Sequence, residues 1–205
     1  MANTPEKKTA DDHHPLSDKW VLWHDAPKAR AAPGQAMSKE AWNKSISRVI
    51  SVDSVDGFWR LFNNLDALAS LPIGSAYNLF KNGIRPEWED PANEGGGRWY
   101  VSFETPTSSR GGVDRAEFDK RVDNTWMYAA LSLLGNSVDK TGIVCGIVAA
   151  VRNRETRFDV WTRKAPPQEI RDLGAALLEN LAYCARMSYR YHKDQRGRSS
   201  AAFYC

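Results

Sequence analysis

Residues 83–99 read GIRPEWEDPANEGGGRW, so Trp88 stands between Glu87 and Glu89, ahead of a glycine run and Arg98. An indole flanked by two carboxylates makes a poor core residue. It offers an aromatic face for stacking, and a neighbouring carboxylate offers two acceptor oxygens. Further on, VRNRETRFDVWT at 151–162 sets Arg152, Arg154 and Arg157 around a short turn, with Trp161 close behind. Guanidinium groups in that arrangement suit an anion, through charge-assisted hydrogen bonds.

Two indoles facing each other across a gap make a slot for a flat, electron-poor ring. A carboxylate at the slot's edge selects a ring with adjacent N–H donors, and guanine presents two in parallel where adenine has no such pair. Methylation at N7 makes the base cationic and adds a cation–π contribution of roughly 0.5–2 kcal/mol to about 1–3 kcal/mol of stacking. The competing enzymatic reading takes Glu87 and Glu89 as a glycosidase acid/base pair in a carbohydrate-active, Trp-rich protein. Such carboxylates usually come from different elements, whereas these are two apart on one loop.

Other chemistries find less support. The histidines at 13, 14, 24 and 192 have no zinc-ligand spacing, so no metal is expected. There is no GxSxG and no P-loop, and the glycines at 95–97 lead into a strand instead of a helix, so no cofactor or nucleotide hydrolase is indicated. A net charge of +3 over 205 residues argues against a massed grip on long nucleic acid and for a small anionic ligand. Cys145, Cys184 and Cys205 form neither a disulfide framework nor a CxxC pair, which fits a reducing compartment. With no apolar run of membrane-spanning length and no signal-like N-terminus, a cytoplasmic protein is expected. The eight tryptophans, at 20, 23, 42, 59, 88, 99, 126 and 161, exceed what a domain of this size needs as filler.

The elements that must position these residues are legible in outline. Residues 1–15 read as a disordered tail, and 16–205 as one domain with a mobile loop at 26–41. Strands are expected at 20–25 and 43–52, followed by a helix capped by Ser54, with Phe58, Leu61, Phe62 and Leu65 on its inner arc. YNLFKNG at 77–83 and RWYVSFE at 98–104 read as a strand pair around the Trp88 loop. A helix at 119–134 ends at Gly135, with Val122, Trp126, Ala130 and Leu133 inward. A hairpin at 142–152 and 157–162 turns at NRET, Pro166 and Pro167 open a third helix with Ile170, Leu173, Leu177 and Leu181 on one face, and 187–192 make a last strand. The order is α+β: a mainly antiparallel sheet with helices on one face.

HPLSDKWVLWHD, SVDGFWRLFNNL, YNLFKNGIRPEWED, GGGRWYVSFE, VCGIVAAVRNR and FDVWT together resemble the eukaryotic translation initiation factor 4E family of mRNA cap-binding proteins. The resemblance implies a curved sheet backed by about three helices on its convex face, with the cap in the concave face. It implies that Trp42 and Trp88 sandwich 7-methylguanine while Glu89 takes its N1 and N2 protons. Trp161 would meet the N7-methyl group, and Arg98, Arg152, Arg154 and Arg157 the triphosphate. Solvated hairpin charge is the alternative for Arg154.

It further implies a scaffold or repressor protein with a YxxxxLΦ-type helix on the convex side, met by His14, Pro15 and Leu16. The apolar pairs Val55/Trp59 and Met127/Leu131, each four residues apart at the edge of a helix's inward arc, extend that ridge. The chain departs from the family pattern at His24 and Asp25, where aromatics are common, and at Ala150, where asparagine is usual. It also has a longer loop between Trp23 and Trp42 and a shorter C-terminus.

Overall fold

The computed structural model describes residues 14–27, 45–106, 114–181, 183–184, 186–192 and 202–205. The expected tail at 1–13, most of the 26–41 loop, and Trp42 lie outside them. Pro15, expected in the tail, opens the first strand.

The described strands are β1 Pro15–Asp25, β2 Ile46–Ser54, β3 Ala76–Lys81, β4 Gly97–Glu104, β5 Val144–Val151, β6 Glu155–Thr162, β7 Ser188–Tyr191 and β8 Phe203–Tyr204. They form one curved sheet in the order β2-β1-β3-β5-β6-β4-β7-β8, antiparallel at every pairing. Bulges between Leu22 and Trp23 and between Val144 and Gly146 add local bend and twist. Among the described residues the longer helices are α1 Val55–Phe62, α2 Arg115–Leu134 and α3 Pro167–Asn180, with a 3-10 turn at Leu68–Ser70.

One expectation is corrected by this order. β3 and β4 are not partners: β3 pairs with β1 and β5, and β4 with β6 and β7. The β5–β6 hairpin inserts between them, so the Trp88 loop spans the width of two strands instead of closing a hairpin. Smaller differences concern ends. α2 starts four residues earlier than expected, because Asp114 caps it by accepting from Ala116 N at 3.2 Å. Gly135 is its C-cap as expected, but Asn136 takes the left-handed conformation with φ 52°. The N-cap of α1 is Ser54, whose hydroxyl accepts from Gly57 N at 3.1 Å, and the helix stops at Phe62 instead of near Leu65.

Period-2 alternation divides the sheet into two faces. Trp20 and Leu22 of β1, Tyr77 and Leu79 of β3, Trp99, Val101 and Phe103 of β4, and Phe158 and Val160 of β6 face the helices. They pack with Phe58 of α1, with Val122, Trp126, Ala130 and Leu133 of α2, and with Ile170, Leu173 and Leu177 of α3. The buried indole of Trp99 donates to Ile170 O at 3.0 Å, tying β4 to α3. The opposite, concave face carries a small separate apolar cluster of Ala76, Phe80, Cys145, Val148 and Ala150, with Trp161 packed against it.

Candidate functional site

Strand register writes the concave face in rows. Asp25, Ala76, Ala150, Arg157 and Ser102 lie side by side across β1, β3, β5, β6 and β4. Trp23, Asn78, Val148, Asp159 and Tyr100 form the next row, and Val21, Phe80, Gly146, Trp161 and Arg98 the one after. Over these rows lies a cleft of about 490 Å³, lined by Asp25, Ala76, Asn78, Pro86, Glu87, Trp88, Glu89, Arg98, Val148, Arg152, Arg157, Asp159 and Trp161. The cleft thus gathers Trp88, Glu89, Trp161, Arg98, Arg152 and Arg157 from residues spread over 74 positions of sequence. Arg154 is exposed on the β5–β6 turn and does not line it.

The β3–β4 loop is held by two of its own side chains. Asp90 accepts from Arg85 N and Ala92 N, both at 2.9 Å, and the buried Asn93 donates Nδ2 to Arg85 O at 3.0 Å and Glu87 O at 2.6 Å. Gly95, at φ +71°, then lets the chain turn into β4. With the loop secured in this way, the Trp88 ring stands at the cleft and is 42% exposed. Glu89 is also exposed, whereas Glu87 accepts a hydrogen bond from Arg85 Nε and is mostly buried. The two carboxylates that looked alike in sequence therefore have different surroundings.

Trp161 is braced on two sides: Phe80 meets it edge-on at 5.5 Å and His192 lies 4.3 Å away between ring centres. Gly146 makes the first contact possible, because a Cβ there would fall 2.4 Å from the Phe80 ring. Beneath the arginines sits Asp159, fully buried, 3.5 Å from Arg98 Nε and 3.4 Å from Arg157 Nε. Burial pushes its carboxyl above the ordinary range, while Arg157, Arg98 and Arg152 pull it back. Arg152 is anchored through Nη1 to Ser75 O at 3.0 Å and Val151 O at 2.9 Å. Burial, and then Arg157, depress its guanidinium from the usual value, yet an arginine stays charged at neutral pH. Arg98, Arg152 and Arg157 thus cluster around the buried Asp159, with Asp25 and Glu155 also acting on Arg152.

Several of these positions escaped the motif reading: Asp159, Asn78, Asp90, Asn93 and His192. Signals existed for two of them. Asp159 is two residues from both Arg157 and Trp161 on a strand, hence on their face, and the Asp-Pro-Ala-Asn run at 90–93 is turn chemistry. His192 is buried, and burial followed by Arg98 lowers its pKa to about 4. Because the folded value lies below the unfolded one near 6.5, the unfolded chain takes up the proton first as pH falls. Stability should therefore be unaffected by this group above pH 6.5 and decline by up to about 3 kcal/mol as pH falls towards 4. Melting curves between pH 7.5 and 4 check this, since His192→Gln should flatten the decline; an equal decline in both proteins would assign it to other groups.

The partner-face residues lie elsewhere. His14 and Pro15 are exposed and Leu16 is half-buried. His14 O accepts from Val55 N at 2.9 Å, which joins the start of β1 to the start of α1. Val55 and Trp59 are 40% and 39% exposed, and Met127 and Leu131 are half-buried on α2. Trp20, Trp99 and Trp126 are core residues, whereas Trp23 lies on the concave face with the Arg85 guanidinium 5.7 Å from its ring.

An open curved sheet, backed by helices on one face and bearing an indole- and arginine-lined cleft on the other, is a single-sheet binding architecture. The chain matches the family described as Eukaryotic initiation factor 4E over residues 15–203, and it belongs to that family. It is 34% identical to eukaryotic translation initiation factor 4E of Dictyostelium discoideum over 88% of this chain and 65% of that protein's length. Factor 4E-1 of Phaseolus vulgaris is 28% identical over 98% of this chain and 79% of its own. Among solved structures, Caenorhabditis elegans eIF4E-3 in complex with the 4E-binding protein Mextli superposes with a TM-score of 0.77, at 29% identity over 94% of this chain and 99% of that one. Ascaris suum eIF4E-3 with m7G cap gives 0.75, at 26% identity over 94% and 97%.

Proposed function

We propose that this chain binds the 7-methylguanosine 5′ cap of mRNA and recruits a translation-initiation scaffold or repressor through its helical face. Trp88 stacks on the methylated base, with Trp42 closing the other side. Glu89 accepts the guanine N1 and N2 protons, the Trp88 backbone N–H donates to O6, and Trp161 lies against the N7-methyl group. Arg98, Arg152 and Arg157 hold the triphosphate, and the exposed Arg154 adds to the field at the cleft mouth. The protein works in the cytoplasm as a binding protein, not an enzyme, with residues 16–205 as its cap-binding domain.

The observation that carries this reading is the cleft itself, in which one exposed indole, one exposed carboxylate, a braced indole and three arginines converge. The cap complexes of the Ascaris protein and the Mextli complex of the Caenorhabditis protein support it. The carbohydrate alternative loses ground because Glu87 is engaged with Arg85 and mostly buried. Retention on immobilised 7-methylguanosine nucleotide, competed by 7-methyl-GTP and not by GTP, is the deciding experiment. Equal competition by both nucleotides would overturn the reading.

The recruitment half has its own test. Trp59 presents an exposed ring supported edge-on by Phe58 at 5.2 Å and by Phe62 at 6.4 Å. Trp59→Ala should reduce affinity for a YxxxxLΦ peptide at least tenfold, the loss expected of an aromatic hot spot of about 1.4 kcal/mol or more. Retention on cap resin should not change. Undiminished peptide binding, measured by calorimetry, would show that the ridge is not the docking site.

A further inference from the structure

The concave face does not end at the cleft. Arg98 of β4 lies directly across the ladder from Arg190 of β7, and Tyr100 lies across from Ser188. Adjacent strands are about 4.8 Å apart, so Arg190 is the next cation outward from the arginines assigned to the triphosphate. Its Cζ lies 5.4 Å from the centre of the Tyr100 ring. The Tyr100 hydroxyl in turn donates to Glu155 Oε2 at 2.9 Å, which fixes the ring's orientation and occupies that carboxylate. Burial in the first place, with Glu155 and Asp159 adding to it, holds the phenol protonated well beyond neutral pH.

Arg190 is left in an unbalanced position. Like charges directly opposite on a ladder repel, and Asp159, the buried carboxylate paired with Arg98, is already shared with Arg157. Among the described residues Arg190 forms no ion pair, and its buried Nε has no hydrogen-bond partner. The guanidinium lies within cation–π range of the Tyr100 ring, which leaves its N–H donors for another group. Nothing in the slot for the base or in the triphosphate grip uses either residue. The pair therefore suits an anionic group one strand beyond the triphosphate.

We propose that Tyr100 and Arg190 form a subsite for the RNA body immediately beyond the cap triphosphate. Arg190 donates to the first phosphodiester of the transcribed strand, and Tyr100 holds the guanidinium plane in place from below. This rests on the cap reading above and extends it by one nucleotide. Because a phosphate carries no sequence information, the subsite strengthens binding of any capped strand without selecting its sequence.

The test compares two ligands on the same protein, 7-methyl-GTP and a capped pentaribonucleotide, by fluorescence titration at several salt concentrations. Arg190→Gln should weaken the capped pentanucleotide five- to tenfold and change 7-methyl-GTP less than twofold. The slope of log K against log salt for the pentanucleotide should fall by about 0.7, the release of one single-strand phosphate contact. Tyr100→Leu should give a two- to fivefold loss with the same ligand selectivity, an independent route if one variant folds poorly by circular dichroism. Equal losses for both ligands would put Arg190 in the triphosphate grip and overturn the proposal. No loss for the pentanucleotide would make the pair a purely structural contact. Failure of the parent protein to bind 7-methyl-GTP at all would remove the cap reading together with the subsite.

Discussion

Replacing Trp88 by alanine should remove nearly all measurable affinity for 7-methylguanosine triphosphate and leave the fold standing. The loop that carries Trp88 is secured by the side chains of Asp90 and Asn93, bonded to backbone groups, and the indole itself is 42% exposed. Its removal therefore costs little core packing. What it takes away is one stacking partner, worth about 1–3 kcal/mol, and its cation–π share, roughly 0.5–2 kcal/mol. Together that is about 1.5–5 kcal/mol, roughly tenfold to a few thousandfold in affinity. Trp42→Ala should act in the same direction, by uncovering the other face of the ring. Calorimetric titration and the quenching of intrinsic tryptophan fluorescence both report it. Unchanged curves for the two variants, with native circular dichroism, would eliminate the sandwich.

The second large effect falls on Glu89. Glutamine preserves the shape of the side chain but turns a double acceptor into one acceptor and one donor, and the donor then opposes a guanine N–H. The expected loss is at least about 1–3 kcal/mol, because one hydrogen bond is replaced by a repulsive contact and the charge is lost as well. The drop should be specific to guanine, so the small residual affinity for an adenine nucleotide should not fall with it. A variant that binds 7-methyl-GTP as tightly as the parent would show that Glu89 serves the loop and not the ligand. Glu87→Gln makes the internal comparison: its carboxylate is engaged by Arg85, so the change should weaken the loop's anchoring and reduce binding less.

How much of this could be read from the sequence depended on how local the signal was. The inward stripes of α2 and α3 were legible because helical spacing is a short-range pattern, and Val122, Trp126, Ala130, Ile170, Leu173 and Leu177 are all buried as expected. The β5–β6 hairpin was legible for the same reason, with two apolar strands around a polar turn. The pairing of β3 with β4 was misread because sequence neighbours usually pair, and nothing local announces that a later hairpin will enter between them. β8 passed unnoticed since Phe203 and Tyr204 alone give no periodicity. In the site, Trp88, Glu89 and the hairpin arginines stood out by residue type. Asp159 and Arg190 did not, because their significance lies in which side chains face them from other strands.

The alternation along β6 has a consequence for how such a protein can change over generations. Arg157, Asp159 and Trp161 look into the cleft, while Phe158 and Val160 between them look into the helix-packed core. Two texts are interleaved in one strand, one for the guest and one for the scaffold. Substitutions in the first can retune what is bound, by exchanging a charge or an aromatic ring, without disturbing the second. A lineage can therefore drift in ligand preference at a position such as Arg157 with the helix-packed core intact, whereas the buried Asp159 is tied to the arginines it balances. Insertion or deletion of a single residue in the strand has no such freedom, since it would exchange the two texts at once and spoil both.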